Sequence, residues 1–88
     1  MTIQQQTALR IIEVMLAEGP MSKADLATAL DVSPDLVDRA IRLGRRRGYE
    51  KSPLFIVVYR ESGKGWLQEA FHLADNRYAK SFLNEPDW

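Results

Sequence analysis

The sequence predicts a small α+β domain in which three helices precede a β-hairpin and a fourth, C-terminal helix. Its 88 residues, 45% hydrophobic and 27% charged, have the size and composition of one globular domain. Two helix-start signals stand close together, at Ser22 and at Ser33. After Gly48 the hydrophobic pattern changes from helical spacing to a run of β-branched and aromatic residues, which is typical of a strand.

The first helix is predicted over residues 3–17. Thr2 and Gln5 have the spacing of a capping box, in which each side chain accepts a hydrogen bond from the other residue's backbone N–H. Gly19 suits the left-handed position that follows a helix, and Pro20 blocks any continuation.

The second helix is predicted over residues 23–30, with Ser22 as its N-cap. Met21 and Leu26 occupy the two positions of a hydrophobic staple. We therefore expect a short helix that begins sharply.

The third helix is predicted over residues 34–47. Ser33 is its N-cap, and Pro34 suits the first helical position because its φ angle is preset and it has no N–H to leave unpaired. Gly48 is expected to end this helix.

A hairpin is predicted over residues 54–73, with a glycine-containing turn between its strands. Residues 66–83 are ambiguous, because their apolar positions also fit one long helix. We favour a returning strand, since the first strand needs a partner to be stable. Asp75 would then cap a final helix.

Residues 1–84 are assigned to one domain, and residues 85–88 are expected to form a loose tail. The sequence lacks a signal peptide and a long apolar run, so we expect a soluble, cytoplasmic protein without membrane contact. With no Cys and with His72 as its only histidine, it predicts no metal site, no cofactor and no enzymatic activity.

Charge is distributed very unevenly along the chain. The formal net charge is zero, which alone argues against a nucleic-acid-binding domain. Residues 39–64, however, hold eight basic residues and only Glu50 and Glu61, and so carry about +6. The rest of the chain carries about −6, so the zero is a cancellation of two charged regions.

The order of helix, short helix, three-residue turn, helix and hairpin resembles the winged helix-turn-helix superfamily of DNA-binding domains. The resemblance covers residues 7–83 and is greatest to small bacterial, phage or prophage regulators. Ala27 stands where the superfamily has a small residue, between the apolar Leu26 and Leu30. Asp31 stands where the superfamily usually has glycine, and Asp tolerates the left-handed conformation of that position.

This resemblance implies a transcriptional regulator that binds duplex DNA, with helix 34–47 in the major groove and hairpin 54–73 as the wing. Arginine can recognise guanine, Asp can accept a hydrogen bond from cytosine, and the other basic residues would neutralise phosphates. The candidate DNA-binding residues are Ser33, Asp35, Asp38, Arg39, Arg42, Arg45, Arg46, Arg47, Lys51, Arg60 and Lys64.

A second hypothesis is a winged-helix module that docks onto another protein and does not bind DNA. The acidic residues outside the basic segment would then bind a basic partner. Asp35 and Asp38 lie where base contacts are expected and would repel phosphates, which favours either a specific cytosine contact or a helix that does not enter the groove deeply. Tyr59 and Trp66 flank the predicted turn, where they either form an interface or pack on each other across the hairpin. The first or the last helix would support a homodimer.

Overall fold

The structure is a computed structural model that describes residues 1–47 and 50–88. Within these residues four helices and a two-stranded antiparallel sheet follow one another in the predicted order, which confirms the α+β prediction. The elements are α1 (Ile3–Glu18), α2 (Lys23–Leu30), α3 (Pro34–Arg45), β1 (Phe55–Glu61), β2 (Leu67–Leu73) and α4 (Asn76–Asn84). The third helix was predicted to reach residue 47 but ends at Arg45, because Arg46 leaves the helical conformation with φ −109° and ψ 39°. Gly48, the predicted end of this helix, lies outside the described residues.

Each of the four helices begins at a side-chain cap that satisfies a backbone N–H of its first turn. Thr2 and Gln5 form the predicted capping box of α1, with reciprocal bonds of 3.1 and 2.9 Å. The remaining caps accept from the N–H three residues ahead, at 3.0 to 3.2 Å; they are Ser22, Ser33 and Asp75. These polar residues therefore set where each helix starts.

The turn between α2 and α3 takes only three residues, 31–33. Asp31 adopts the predicted left-handed conformation, with φ 53° and ψ 50°. The Val32 N–H donates to the Ala27 carbonyl at 3.1 Å, which closes the turn over the end of α2. Arg10 of α1 donates to the Leu30 carbonyl at 3.0 Å. The angle between α2 and α3 is thus held by backbone bonds and by a side chain from α1.

Residues 67–73 form a strand, so the alternative of one long helix over residues 66–83 is wrong. β2 pairs with β1 from Phe55 opposite Leu73 to Glu61 opposite Leu67. Met21, between α1 and α2, also pairs with Phe71 through two backbone bonds of 3.0 and 2.8 Å. This bridge was not predicted from the sequence, because a single extended residue leaves no period to detect.

The closest packing between helix and sheet lies at Gly44 of α3, where the Phe55 ring rests on the helix backbone. A Cβ at position 44 would lie 2.5 Å from Cδ2 of Phe55, far inside van der Waals contact. The Gly44 carbonyl also accepts from the Leu54 N–H at 2.9 Å. The start of the hairpin is therefore fixed against the last turn of α3.

Residues 85–88, predicted to form a loose tail, have specific contacts in the structure. The Trp88 ring packs edge-on against Phe82 of α4, with centroids 4.8 Å apart. Lys51 donates to the Asp87 carboxylate at 3.0 Å. This short segment thus covers part of α4 and the residues that follow α3.

Among residues 1–47 and 50–88, no helix combines the length and the apolar character that a membrane crossing requires.

We predict that Gly44→Ala destabilises the protein by about 1–2 kcal/mol. Overpacking against Phe55 costs about 1–3 kcal/mol, which exceeds the gain of up to about 1 kcal/mol in helix propensity. Gly63→Ala is the matched control, because a Cβ at Gly63 meets no atom within 4 Å. Urea unfolding monitored by circular dichroism measures both variants. Equal midpoints for the two variants would contradict the close approach of Phe55 to Gly44.

Candidate nucleic-acid interface

The outward face of α3 is lined with charged side chains, opposite the buried Val37, Ala40, Ile41 and Gly44. Because the helix repeats every 3.6 residues, the arginines that follow three or four positions apart share this outer face. Its members are Asp35, Asp38, Arg39, Arg42, Arg45 and Arg46, and we call this set the α3 charged face. Ser33 is exposed at the start of the helix, where its hydroxyl is engaged in capping the Leu36 N–H.

The two aspartates of this face each pair with an arginine one turn further along the helix. Asp35 lies 3.0 Å from Arg39, and Asp38 lies 3.1 Å from Arg42. Exposed pairs at this spacing are worth only about 0.3–0.5 kcal/mol, so either arginine can exchange its carboxylate for another anion. The first two turns of the face are therefore close to neutral.

The positive charge of the face is concentrated at its C-terminal end, at Arg45 and Arg46. Both are exposed, and no carboxylate oxygen of the described residues lies within 4.0 Å of either guanidinium group. Together with Arg42 they line a surface depression of about 330 Å³. Three arginines that line one depression make it an attractive position for an anion.

Gln4 of α1 belongs to this surface, although no sequence pattern indicated it. It lines a second depression, of about 300 Å³, with Arg39, Arg42, Leu43 and Arg46. The glutamine is 35 positions or more away from these residues in the sequence, so only the packing of α1 against α3 brings them together. Its side-chain amide adds a neutral hydrogen-bond donor and acceptor beside the arginines.

Arg47 is not on this surface, which corrects its prediction as a phosphate contact. It is only 5% exposed, and it donates to the Ser52 carbonyl at 3.0 Å, to the Tyr78 hydroxyl and to the Asp87 carbonyl. Its guanidinium also lies 4.6 Å from the centroid of the Phe82 ring. A buried group with these partners joins α4 and the tail to the end of α3 and cannot reach a phosphate.

The remaining three predicted cations lie apart from one another. Lys51 is paired with Asp87 at 3.0 Å, beside the tail. Arg60, near the end of β1, donates to the Pro20 carbonyl at 3.2 Å and pairs with Asp25 at 3.0 Å. Lys64 is exposed in the turn of the hairpin. The contiguous basic surface is therefore smaller than the sequence alone predicts.

Asp25 shows how the hairpin is held to the start of α2. The neighbouring Ser22 hydroxyl, and then the Arg60 guanidinium, hold the pKa of Asp25 below its ordinary value of 3.8. A lowered pKa means that the ionised form is favoured in the folded protein. The Asp25 contribution to stability is therefore present at neutral pH and is lost as the pH falls through that lowered pKa.

Tyr59 and Trp66 do not pack on each other across the hairpin. The strand register places Glu69 opposite Tyr59, whereas Trp66 precedes β2 and lies at the turn. Tyr59 is 65% exposed and Trp66 is 74% exposed. The alternative in which the two rings pack on each other is therefore wrong, and both side chains are exposed.

No group of three or more His, Asp or Glu side chains gathers into a possible metal site within the described part of the chain.

Comparison with protein-family models, curated proteins and solved structures gives no match to this chain. The basic end of α3 brings the exposed Arg42, Arg45 and Arg46 to one depression.

We predict that Arg47→Ala lowers the free energy of unfolding by about 2–4 kcal/mol, because several charge-assisted hydrogen bonds and the packing on Phe82 disappear together. Arg46→Ala, which removes the same kind of side chain one residue earlier, should change the free energy of unfolding by no more than about 0.5 kcal/mol. Urea unfolding measures both. If Arg47→Ala is as mild as Arg46→Ala, Arg47 does not have the structural role assigned to it.

Proposed function

We propose that the protein is a winged helix-turn-helix domain that binds duplex DNA in a sequence-specific manner and regulates transcription. In this proposal α3 lies in the major groove, and the hairpin formed by β1 and β2 is the wing. The layout of the α+β fold supports it: α2 and α3 are joined by a three-residue turn, and the hairpin follows α3. The major groove of B-form DNA is wide enough to admit one α-helix.

The observation that carries the proposal is the arrangement of Arg42, Arg45 and Arg46 around one depression at the exposed end of α3. If these arginines only stabilised the C-terminal end of the helix, they would not need to line one depression. Positive charge close to a helix C-terminus is favourable, but that effect is satisfied by one or two side chains that point into solvent. Arg45 and Arg46, which are exposed and have no carboxylate partner among the described residues, instead suit phosphate contacts, and Arg42 on the same depression is left for a base contact.

Base recognition is assigned to the middle of α3 and to Gln4. Arg42 can contact guanine through two parallel hydrogen bonds, and its pair with Asp38 is weak enough to open for that purpose. Asp38, once released, can accept from the amino group of cytosine. Gln4 lines the second depression, which Arg42 also lines, and its amide can pair with adenine. In this proposal Asp38 contacts a base and does not simply repel the DNA.

The zero net charge of the chain shapes how such binding would behave. About −6 of charge lies outside residues 39–64, so attraction to DNA at long range is weak and depends on the orientation of the molecule. Binding should then depend on few phosphate contacts. Lys64 and the two glycines of the turn allow the wing to approach the DNA backbone and add one contact.

We predict that Arg45→Ala combined with Arg46→Ala weakens duplex binding and lowers the salt dependence. The slope of log K against log salt concentration should fall by about 0.9 for each phosphate that the variant no longer neutralises, or roughly 2 for the pair. The measurement uses fluorescence anisotropy with duplexes selected from a random-sequence pool, at a series of salt concentrations.

Arg77→Ala is the matched control, because Arg77 is an exposed arginine on α4 and lies outside the α3 charged face. It should leave both the affinity and the slope unchanged. Arg42→Ala should lower affinity for the selected duplex by about 1–3 kcal/mol and bring it closer to that for random duplex. Failure of the unaltered protein to bind any duplex pool at low salt would contradict the proposal.

A protein-docking module is the second candidate function, and the exposed hairpin aromatics favour it. Exposed Tyr and Trp residues are enriched at protein interfaces. This function predicts that Tyr59→Ala and Trp66→Ala abolish binding to a protein, whereas changes in the α3 arginines leave that binding intact.

A further inference from the structure

A shallow groove between α1 and α2 lies outside the α3 charged face. It has a volume of about 430 Å³. Its floor is apolar, formed by Val14, Ala17, Met21 and Ala29, and the exposed carboxylates of Glu13 and Glu18 stand at its rim. We call it the acidic groove. A groove of this size accepts one bulky apolar side chain, and its rim favours a partner with a positive charge.

The turn of the hairpin has the complementary character. Trp66 is 74% exposed, and Lys64 precedes it by two residues in the same turn. The turn is rigid, because the Ser62 N–H donates to the Trp66 carbonyl at 2.7 Å and the Gly65 N–H donates to the Ser62 carbonyl at 3.0 Å. An indole and an ammonium group are therefore presented together from a fixed support, which we call the hairpin tip.

The turn of the hairpin suits the acidic groove better than the aromatic face of the hairpin does. Tyr59 and Leu67 lie on the face of the hairpin that also carries Glu61 and Glu69, since alternate residues of a strand share a face and these two strands are in register. An acidic groove repels that face. Trp66 and Lys64 lie at the turn, ahead of the first paired residue of β2, and bring one positive charge to the groove.

The tip cannot reach the groove of its own chain. Arg60, below the turn of the hairpin, already contacts Pro20 and Asp25, which border the start of α2. The tip extends several residues beyond that contact. Met21, at the edge of the groove, pairs with Phe71, and Trp66 lies five residues further along the hairpin, which is about 16 Å of extended strand. Contact of the tip with a groove therefore requires a second molecule.

We propose that the hairpin tip of one copy docks into the acidic groove of a second copy, in a head-to-tail contact. The Trp66 indole packs on the floor of the groove, and the Lys64 ammonium pairs with Glu13 or Glu18 at its rim. Because the two surfaces are different, the contact is not symmetric, and it leaves a free tip and a free groove at the ends of the pair. The α3 charged face takes no part in it, so the proposal does not depend on DNA binding.

Such a contact is small and therefore weak. One tip and one groove bury less than the roughly 1,200 Å² that is typical of stable complexes. Self-association should appear only at high protein concentration, and it should be detected best by a method that traps transient pairs.

Cysteine cross-linking provides that method, because the chain contains no cysteine. Glu18→Cys and Lys64→Cys are prepared as separate proteins and mixed under mild oxidation. We expect the mixed disulfide to form about tenfold faster than a disulfide between two copies of the same variant, since docking raises the effective concentration of the two different thiols. Lys80→Cys, an exposed position on α4, replaces Lys64→Cys in the matched control and should give no such excess.

A charge exchange then identifies the occupant of the groove. Glu18→Lys and Lys64→Glu should each lose the self-association seen by sedimentation at high concentration, and an equimolar mixture of the two should regain it. Trp66→Ala, added to both variants, should abolish the association that the mixture regains. Rescue of Glu18→Lys by Arg46→Glu instead would place α3 in the groove and overturn the proposal. Equal cross-linking rates for Lys64→Cys and Lys80→Cys would also overturn it.

Discussion

The contact between the Phe55 ring and the bare backbone of Gly44 fixes the relation between the helices and the hairpin. At that point the Gly44 carbonyl accepts from Leu54, whose own carbonyl accepts from the Ala74 N–H at 3.0 Å. The end of α3, the start of β1 and the segment leading to α4 thus meet at one place. Arg42 and Arg45 stand within the same turn of α3 as Gly44. Any shift of this contact would move the arginines relative to the hairpin.

Arginine has four different roles in this small fold, and only its surroundings distinguish them. Arg10 covers a carbonyl at the end of α2, and Arg47 is buried among carbonyls and aromatic rings. Arg39 pairs with an aspartate of its own helix. Arg45 is exposed and has no carboxylate partner among the described residues. The count of basic residues in the sequence therefore overstates the charge that the surface offers to a ligand.

The parts of the fold that local chemistry determines were predictable from the sequence. Ser22 and Ser33 mark the starts of α2 and α3, and Asp31 supplies the left-handed turn, because each acts on a neighbouring backbone group. The hairpin followed from its β-branched residues and from the need of one strand for another. The exposed positions of Arg42 and Arg45 followed from the helical spacing of the apolar residues on the opposite side of α3.

What the sequence did not disclose depends on contacts between distant residues. The burial of Arg47 requires Tyr78 and Asp87, which lie 31 and 40 positions away. Gln4 joins the arginines only through the packing of α1 on α3, and Met21 pairs with β2 through a single residue. None of these contacts leaves a periodic or spaced pattern. The difference in burial between Arg46 and Arg47 has no local signal, since the two are adjacent and chemically identical.

The most direct test of the proposed interface uses the side-chain Nε–H resonances of the arginines in a nitrogen-15-labelled sample, observed during titration with a selected duplex. Contact of DNA with the end of α3 should shift the resonances of Arg42, Arg45 and Arg46 strongly. The resonances of the buried Arg47 and of Arg10, which is bonded to the Leu30 carbonyl, should remain in place. A shift of Arg10 with Arg42, Arg45 and Arg46 unchanged would contradict the proposed interface.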